Sequence, residues 1–216
     1  MDQLDQAVRR VLEEYEARSQ AEAERWQQLE WNNFVHERDK FLLAVGPATG
    51  RLMNLLVREA QSKVILEIGT SYGYSTVWLA EAARATQGRV ITLELHGNKQ
   101  QYARERLTQA GLEKFVDFRL GDAKESLAKL ETSVDFVLLD LWKDLYIPCF
   151  DLFYPKLSPG ALVVADNMLF PETARPHAEK YRLHVRSKPD MQSLLLHVGS
   201  GLELSRCTRG VVAEEV

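Results

Sequence analysis

Apolar positions along this chain follow two rhythms. Short apolar-rich runs at residues 64–68, 90–94, 116–120, 134–139 and 161–165 predict strands. Between them, residues 75–85, 98–110, a short segment to Leu130 and residues 148–154 read as helices. Upstream, Leu52, Leu55, Leu56 and Glu59 belong to a helix running to about Gln61. Further up, Leu4, Val8, Val11, Leu12 and Tyr15 recur at three- and four-residue steps and predict a helix over residues 1–38. That stretch continues rich in Glu, Gln, Ala and Arg, with Trp26, Leu29, Trp31 and Phe34 interleaved. It reads as an amphipathic extension packed on the domain, or as a lid or dimer contact, because exposed tryptophans on a free helix would be wasteful.

Strands alternating with helices predict βαβ units and a parallel sheet covered on both faces. The tail departs from this. A helix is expected over 173–187, then strands at 193–198 and 202–209 separated by Gly199-Ser200-Gly201. That spacing predicts a hairpin, with an antiparallel strand at the end of the sheet. The expected fold is therefore α/β, Rossmann-like and doubly wound: a mostly parallel seven-stranded sheet with an antiparallel C-terminal strand. Residues 1–216 form one domain in this reading, with 1–40 as its helical N-terminal extension.

Composition narrows the function. The chain has 216 residues, net charge -4, 45% hydrophobic and 27% charged residues. A nucleic-acid binder shows a basic excess or a basic face; neither is visible, so a small-molecule substrate is expected. Two cysteines, Cys149 and Cys207, make no disulfide framework and fit buried thiols in a reducing cytosol. The first residues, MDQLDQAVRR, lack the apolar core of a signal peptide, and no run is long enough to span a bilayer. A cytoplasmic location with no membrane partner is expected.

In open α/β sheets, ligands bind beyond the carboxyl ends of the strands. After the first strand comes Glu67-Ile68-Gly69-Thr70-Ser71-Tyr72-Gly73-Tyr74-Ser75, whose glycines allow close approach of a ligand to backbone. The spacing is not the G-x-G-x-x-G of a dinucleotide site, which counts against an NAD-dependent oxidoreductase. Glu94 closes the second strand and can accept ribose hydroxyls. Gly121-Asp122-Ala123 follows the third, where it could flank an adenine. The fourth strand ends in Asp140-Leu141-Trp142-Lys143-Asp144-Leu145-Tyr146 and the fifth in Asp166-Asn167. Two carboxylates and an amide oxygen converging there make an all-oxygen site suited to Mg²⁺, Mn²⁺ or Ca²⁺. Taken singly, each acid also reads as a helix N-cap, and Lys143 as a solvated lysine.

From about Ala44 to Pro171 the chain resembles the metal-dependent O-methyltransferases of the catechol and caffeoyl-coenzyme-A type, within the class I S-adenosylmethionine (SAM)-dependent methyltransferases. The likeness rests on the segment from Asp140 to Tyr146, similar to D-H-W-K-D-R-Y in the catechol branch. It also rests on Ala165-Asp166-Asn167, Leu66-Glu67-Ile68-Gly69 and Gly73-Tyr74-Ser75. The resemblance implies that Gly69, Thr70, Ser75, Glu94 and Leu95 hold SAM, with Glu94 on the ribose. It implies that Val45 closes over the methionine end, Asp122 and Ala123 line the adenine, and Asp140 and Trp142 stand beside the cofactor. Asp140, Asp166 and Asn167 would bind Mg²⁺ or another divalent cation. Lys143 would be the general base, and Phe41, Trp142 and Pro171 would wall in a phenolic substrate. A homodimer is the partner reading for the N-terminal helices.

Departures bear on the acceptor. Leu141 and Leu145 replace the family's histidine and arginine. The family's glutamate near the start of the penultimate strand falls near Leu194, with no acid between Ser193 and His197. His197, a lone histidine in an apolar strand, is more often structural than catalytic. The alternatives are an acceptor other than a catechol, or a non-catalytic module that binds SAM or a nucleotide.

Overall fold

The computed structural model of the chain describes residues 4–26 and 38–210. Helix α1 spans Gln6–Trp26 and buries Val8, Val11, Leu12 and Tyr15, the stripe its periodicity predicts. Leu29, Trp31, Phe34 and the Trp26 side chain lie outside the described residues, so the expected helix to residue 38 is described only to Trp26; a 3-10 turn follows at Arg38–Lys40.

The remaining elements alternate: α2 (Pro47–Glu59), β1 (Val64–Ile68), α3 (Tyr74–Thr86), β2 (Arg89–Glu94), α4 (Gly97–Gln109), β3 (Val116–Leu120), α5 (Ala123–Ala128), β4 (Val134–Leu139), α6 (Tyr146–Phe153), β5 (Leu157–Ala165), α7 (Arg175–Arg186), β6 (Met191–Leu196) and β7 (Leu202–Cys207). The seven strands form one sheet in the order β3-β2-β1-β4-β5-β7-β6. β1 to β5 pair in parallel, and β7 is antiparallel to both β5 and β6.

The hairpin forms around its glycines, but the antiparallel strand is not outermost. β7 inserts between β5 and β6, leaving β6 as the edge. Burial accounts for the order. Leu202, Ser205 and Cys207 of β7 are fully buried, whereas Gln192 and Leu194 of β6 are exposed. The more deeply buried strand takes the inner position.

Successive residues of β1 and β4 point to opposite faces, and both faces are covered. Ile65, Phe136 and Leu138 pack with α1, α2 and α3. Leu66, Ile68, Val137 and Leu139 pack with α6 and α7. This two-sided burial is why the strands read as continuous apolar runs. Among the described residues, no helix is long and apolar enough to cross a membrane.

Candidate active site

The chain runs outward from β1 through β2 and β3, then returns to lay β4 on the other side of β1. The crevice where neighbouring strands part in opposite directions is the usual ligand position in such sheets. Gly69 and Asp140 stand there, directly after β1 and β4. The Asp140 N–H donates to the Ile68 carbonyl at 3.0 Å. A Cβ at position 69 would lie 2.0 Å from the Asp140 carbonyl oxygen, and φ is +106°. Both facts require glycine. The turn closes with the Gly73 N–H on the Thr70 carbonyl and opens into α3.

Residues 42–45, the turn from Gly69 to Ser75, and Asp140 line one cleft. Helix α1 anchors its upper segment: the Leu42 N–H donates to Glu22 Oε2 at 2.6 Å, and Glu22 is itself paired with Arg18 at 2.7 Å. Glu94, at the tip of β2, is buried. Its carboxylate accepts the Ser71 N–H at 2.7 Å and the His96 N–H at 2.9 Å. A carboxylate has about four acceptor sites, so hydroxyls of a ligand can still be received.

The second half of the site lies at β4 and β5. Leu139 and Ala165 are in register, which sets Asp140 and Asp166 side by side. The Asp166 N–H donates to the Leu139 carbonyl at 3.1 Å. Lys143 Nζ donates to Tyr146 Oη at 2.5 Å and to Asn167 Oδ1 at 3.3 Å. Burial pushes both carboxyl groups above the usual carboxylate range, and for Asp166 the neighbouring Asp140 adds to the rise. Burial also pulls the Lys143 ammonium down to about 8, against the opposing pull of Asp140 and Asp166. Two carboxyl groups thus share a buried place where ionising both at once is disfavoured.

The O-methyltransferase family pattern matches residues 16–207. The chain belongs to that family. The catechol O-methyltransferase of Niastella koreensis is 36% identical over 141 residues, covering 63% of this chain and 63% of that protein. Mouse catechol O-methyltransferase is 30% identical over 141 residues, covering 62% and 53%. The chain thus spans less than two thirds of the length of these curated relatives. Among solved structures, the O-methyltransferase TomG of Streptomyces achromogenes, in complex with SAM, superimposes with a TM-score of 0.74 at 26% identity, covering 94% of this chain and 90% of that one. The Bacillus cereus O-methyltransferase in complex with SAH gives 0.72 at 25% identity, covering 94% and 91%.

In this O-methyltransferase-family chain, the residues singled out from sequence separate into groups. Val45, Gly69, Thr70, Ser75 and Asp140 share the cleft, and Glu94 is bonded to its Ser71. Asp140, Lys143, Asp166 and Asn167 gather at the adjoining strand ends. Trp142 is 43% exposed on the turn between them, and Pro171 is half-buried on the loop after β5. Leu95 is 63% exposed beyond β2, and Phe41 is 2% exposed, packed inward just ahead of the segment that covers the cleft. Asp122 caps α5, its Oδ1 accepting the Lys124 N–H at 2.7 Å. Leu194 and His197 are exposed on and just after the edge strand.

Sequence reasoning passed over two residues. Tyr146 accepts from Lys143 and donates to the Asp166 carbonyl at 3.1 Å. Its place three residues after Lys143, on the same helical turn, was the available signal. Glu67 is fully buried beside the cleft turn and bonded to three hydroxyls. A charged residue inside an apolar strand marks such a position.

Proposed function

We propose that this chain transfers a methyl group from SAM to a phenolic hydroxyl of a small molecule, with a divalent cation such as Mg²⁺ held by Asp140, Asp166 and Asn167. The observation that carries this reading is the meeting of Asp140, Lys143, Asp166 and Asn167 beside the Gly69–Gly73 turn, in a member of the O-methyltransferase family.

The residues fit the two absent groups. Asp140 and Asp166 repel each other in a buried setting, and their donors are hard oxygens, the condition a small divalent cation relieves. Among the described residues no three His, Cys, Asp or Glu side chains cluster for a metal. In this reading the amide oxygen of Asn167 would serve as the third protein donor. The turn from Gly69 to Ser75 lines the cleft together with residues 42–45 and Asp140, which suits a ligand lying against the chain.

When bound, the cation lowers the pKa of a hydroxyl at that place, and SAM supplies an electrophilic methyl on a sulfonium. Asp140, Asp166 and Asn167 hold the acceptor's position. Lys143, with an amine near neutrality in its pKa, takes the hydroxyl proton. Both hydrogens of its neutral amine have acceptors in Tyr146 Oη and Asn167 Oδ1, which leaves the lone pair for that proton. Glu94 fixes the ribose end, and Val45 with its neighbours excludes water from the methionine end. Trp142 offers an apolar face to an aromatic acceptor.

The test is transfer of labelled methyl from SAM to a panel of catechols and related phenols, with Mg²⁺ and with excess chelator. The reading predicts transfer that chelator abolishes. Transfer that survives chelator removes the cation from the proposal. SAM binding with no transfer to any phenol removes the phenolic acceptor.

A further inference from the structure

The hairpin between β6 and β7 reaches both halves of the site without belonging to either. β7 runs antiparallel to β5, with Glu203 opposite Ala165. The turn that opens β7 therefore arrives where β5 ends and Asp166 and Asn167 stand. Asn167 is in the left-handed region, with φ +56°, and the hairpin catches the chain that follows it. The Met168 N–H donates to the Gly201 carbonyl at 2.9 Å. The Leu169 and Phe170 N–H groups both donate to the Ser200 carbonyl, at 2.9 and 3.1 Å. Gly201 lies flush against this loop: φ is +87°, and a Cβ there would lie 2.5 Å from Leu169 Cγ.

The same hairpin meets the segment that covers the cleft. A Cβ at Gly199, where φ is +56°, would lie 2.5 Å from Thr49 Oγ1 and 3.3 Å from the Val45 carbonyl oxygen. Val45 lines the cleft, and Thr49 is fully buried in the first turn of α2 just after it. Among the described residues the Thr49 hydroxyl has no hydrogen-bond partner, so its contact with Gly199 is packing alone. The Gly201 N–H closes the turn on the Val198 carbonyl at 3.0 Å. One short turn thus touches the cover segment at one end and the loop behind Asn167 at the other.

We infer that the β6–β7 hairpin is a positioning element for both halves of the site. Gly199 sets the cover segment against the cofactor, and Gly201 sets the loop that follows Asn167. This rests on the reading of those halves as the SAM and cation sites. Neither glycine lines the cleft or supplies a proposed ligand. Both have positive φ, so alanine meets the same kind of backbone penalty at each. A hairpin that only stabilised the fold would answer the two substitutions alike. A positioning hairpin answers each at a different ligand.

Two titrations on wild type, Gly199→Ala and Gly201→Ala test the inference. One is calorimetry with S-adenosylhomocysteine. The other adds Mn²⁺ at saturating S-adenosylhomocysteine, with free ion read by electron paramagnetic resonance. Gly199→Ala is expected to weaken S-adenosylhomocysteine roughly tenfold and leave Mn²⁺ within about threefold; Gly201→Ala is expected to do the reverse. Adding Thr49→Ala to Gly199→Ala removes the obstructing atom, and should bring S-adenosylhomocysteine back to within about threefold of wild type. Where a variant fails to fold, hydrogen exchange on wild type carries the test. S-adenosylhomocysteine in chelator should slow exchange at Met168, Leu169 and Phe170, which are not among the cleft-lining residues. Unchanged affinities, equal losses of both ligands in both variants, or exchange at these amides indifferent to the ligand would overturn the inference. Wild type that fails to bind one of the two probes would instead remove that half of the site reading, and the hairpin's part in it.

Discussion

Lys143 and Tyr146 are joined nitrogen to oxygen at 2.5 Å, with the ammonium also 3.9 Å from the centre of the phenol ring. The phenol's own proton is committed to the Asp166 carbonyl. Tyr146 is therefore an acceptor toward Lys143, and burial raises its pKa so that it stays protonated. A turn before α6 thus aims the lysine at the ends of β4 and β5.

Lys143→Ala is expected to reduce turnover by about 10²-fold or more, the scale of a lost general base. Affinity for S-adenosylhomocysteine should stay within about threefold, because Lys143 is not among the residues lining the cofactor cleft. Tyr146→Phe should reduce turnover by roughly tenfold, since the amine survives but loses one of its two fixed acceptors. Steady-state kinetics alongside calorimetry separate these outcomes. A parallel fall in affinity and turnover would count against Lys143 as the base.

Asp166→Asn should make the metal-free protein more stable while removing activity. Burial and the nearby Asp140 disfavour the charged form of Asp166. The neutral amide keeps an oxygen for the Asn167 N–H that Asp166 Oδ1 accepts at 2.6 Å. Relief of about 1 kcal/mol corresponds to a melting temperature higher by roughly 2–4 °C for a chain of this size. Thermal unfolding in chelator reads the first effect and methyl transfer the second. An unchanged or lower melting temperature would mean the repulsion is compensated some other way.

The strand ends carrying Asp140, Asp166 and Asn167 could be read from sequence because apolar runs locate parallel strands, and parallel strands bring their carboxyl ends to one edge. Where the reading slipped, local signals misled it. Ser158-Pro159-Gly160 looks like a turn, yet β5 already begins at Leu157. The strand absorbs proline and glycine through a register shift between Val134 and Phe136 of its neighbour. Pro148 marked a helix start, but α6 begins at Tyr146, since an N–H in the first turn of a helix has no carbonyl partner within it and proline at the third residue loses no bond. The hydroxyl network of Glu67 was out of reach for another reason. Thr92 is 25 positions away in sequence, and only the pairing of β1 with β2 brings them together.

Glu67 gives stability a pH dependence of its own. Burial raises its pKa from 4.5 to about 7 in the folded chain, against the pull of three hydroxyl donors. The folded state therefore holds this proton more tightly than the unfolded one, and stability falls as pH rises. The favourable contribution is complete below pH 4.5 and is lost as pH passes through about 7. Relative to Glu67→Gln, wild type should lose ~3 kcal/mol across that window. Urea unfolding of both proteins at several pH values measures it. A difference that stays flat with pH, or grows in favour of wild type, would refute the assignment.

Gly69 and Gly111 separate two reasons for glycine. Both have positive φ, +106° and +69°. At Gly111, which follows α4, an added Cβ would meet nothing within 4 Å. Gly111→Ala should therefore cost only the left-handed backbone penalty, ~1–2 kcal/mol. At Gly69 the same methyl would sit 2.0 Å from the Asp140 carbonyl oxygen. Backbone must then move apart where β1 and β4 diverge, and overpacking adds roughly 1–3 kcal/mol to the conformational term. The displaced groups are the turn that lines the cleft and the residue proposed to hold the cation. Gly69→Ala should thus lose both stability and S-adenosylhomocysteine binding, whereas Gly111→Ala keeps full affinity. Chemical denaturation and calorimetry on the pair decide it: equal stability losses with unaltered binding would mean that the close approach of Gly69 to Asp140 plays no part in shaping the site.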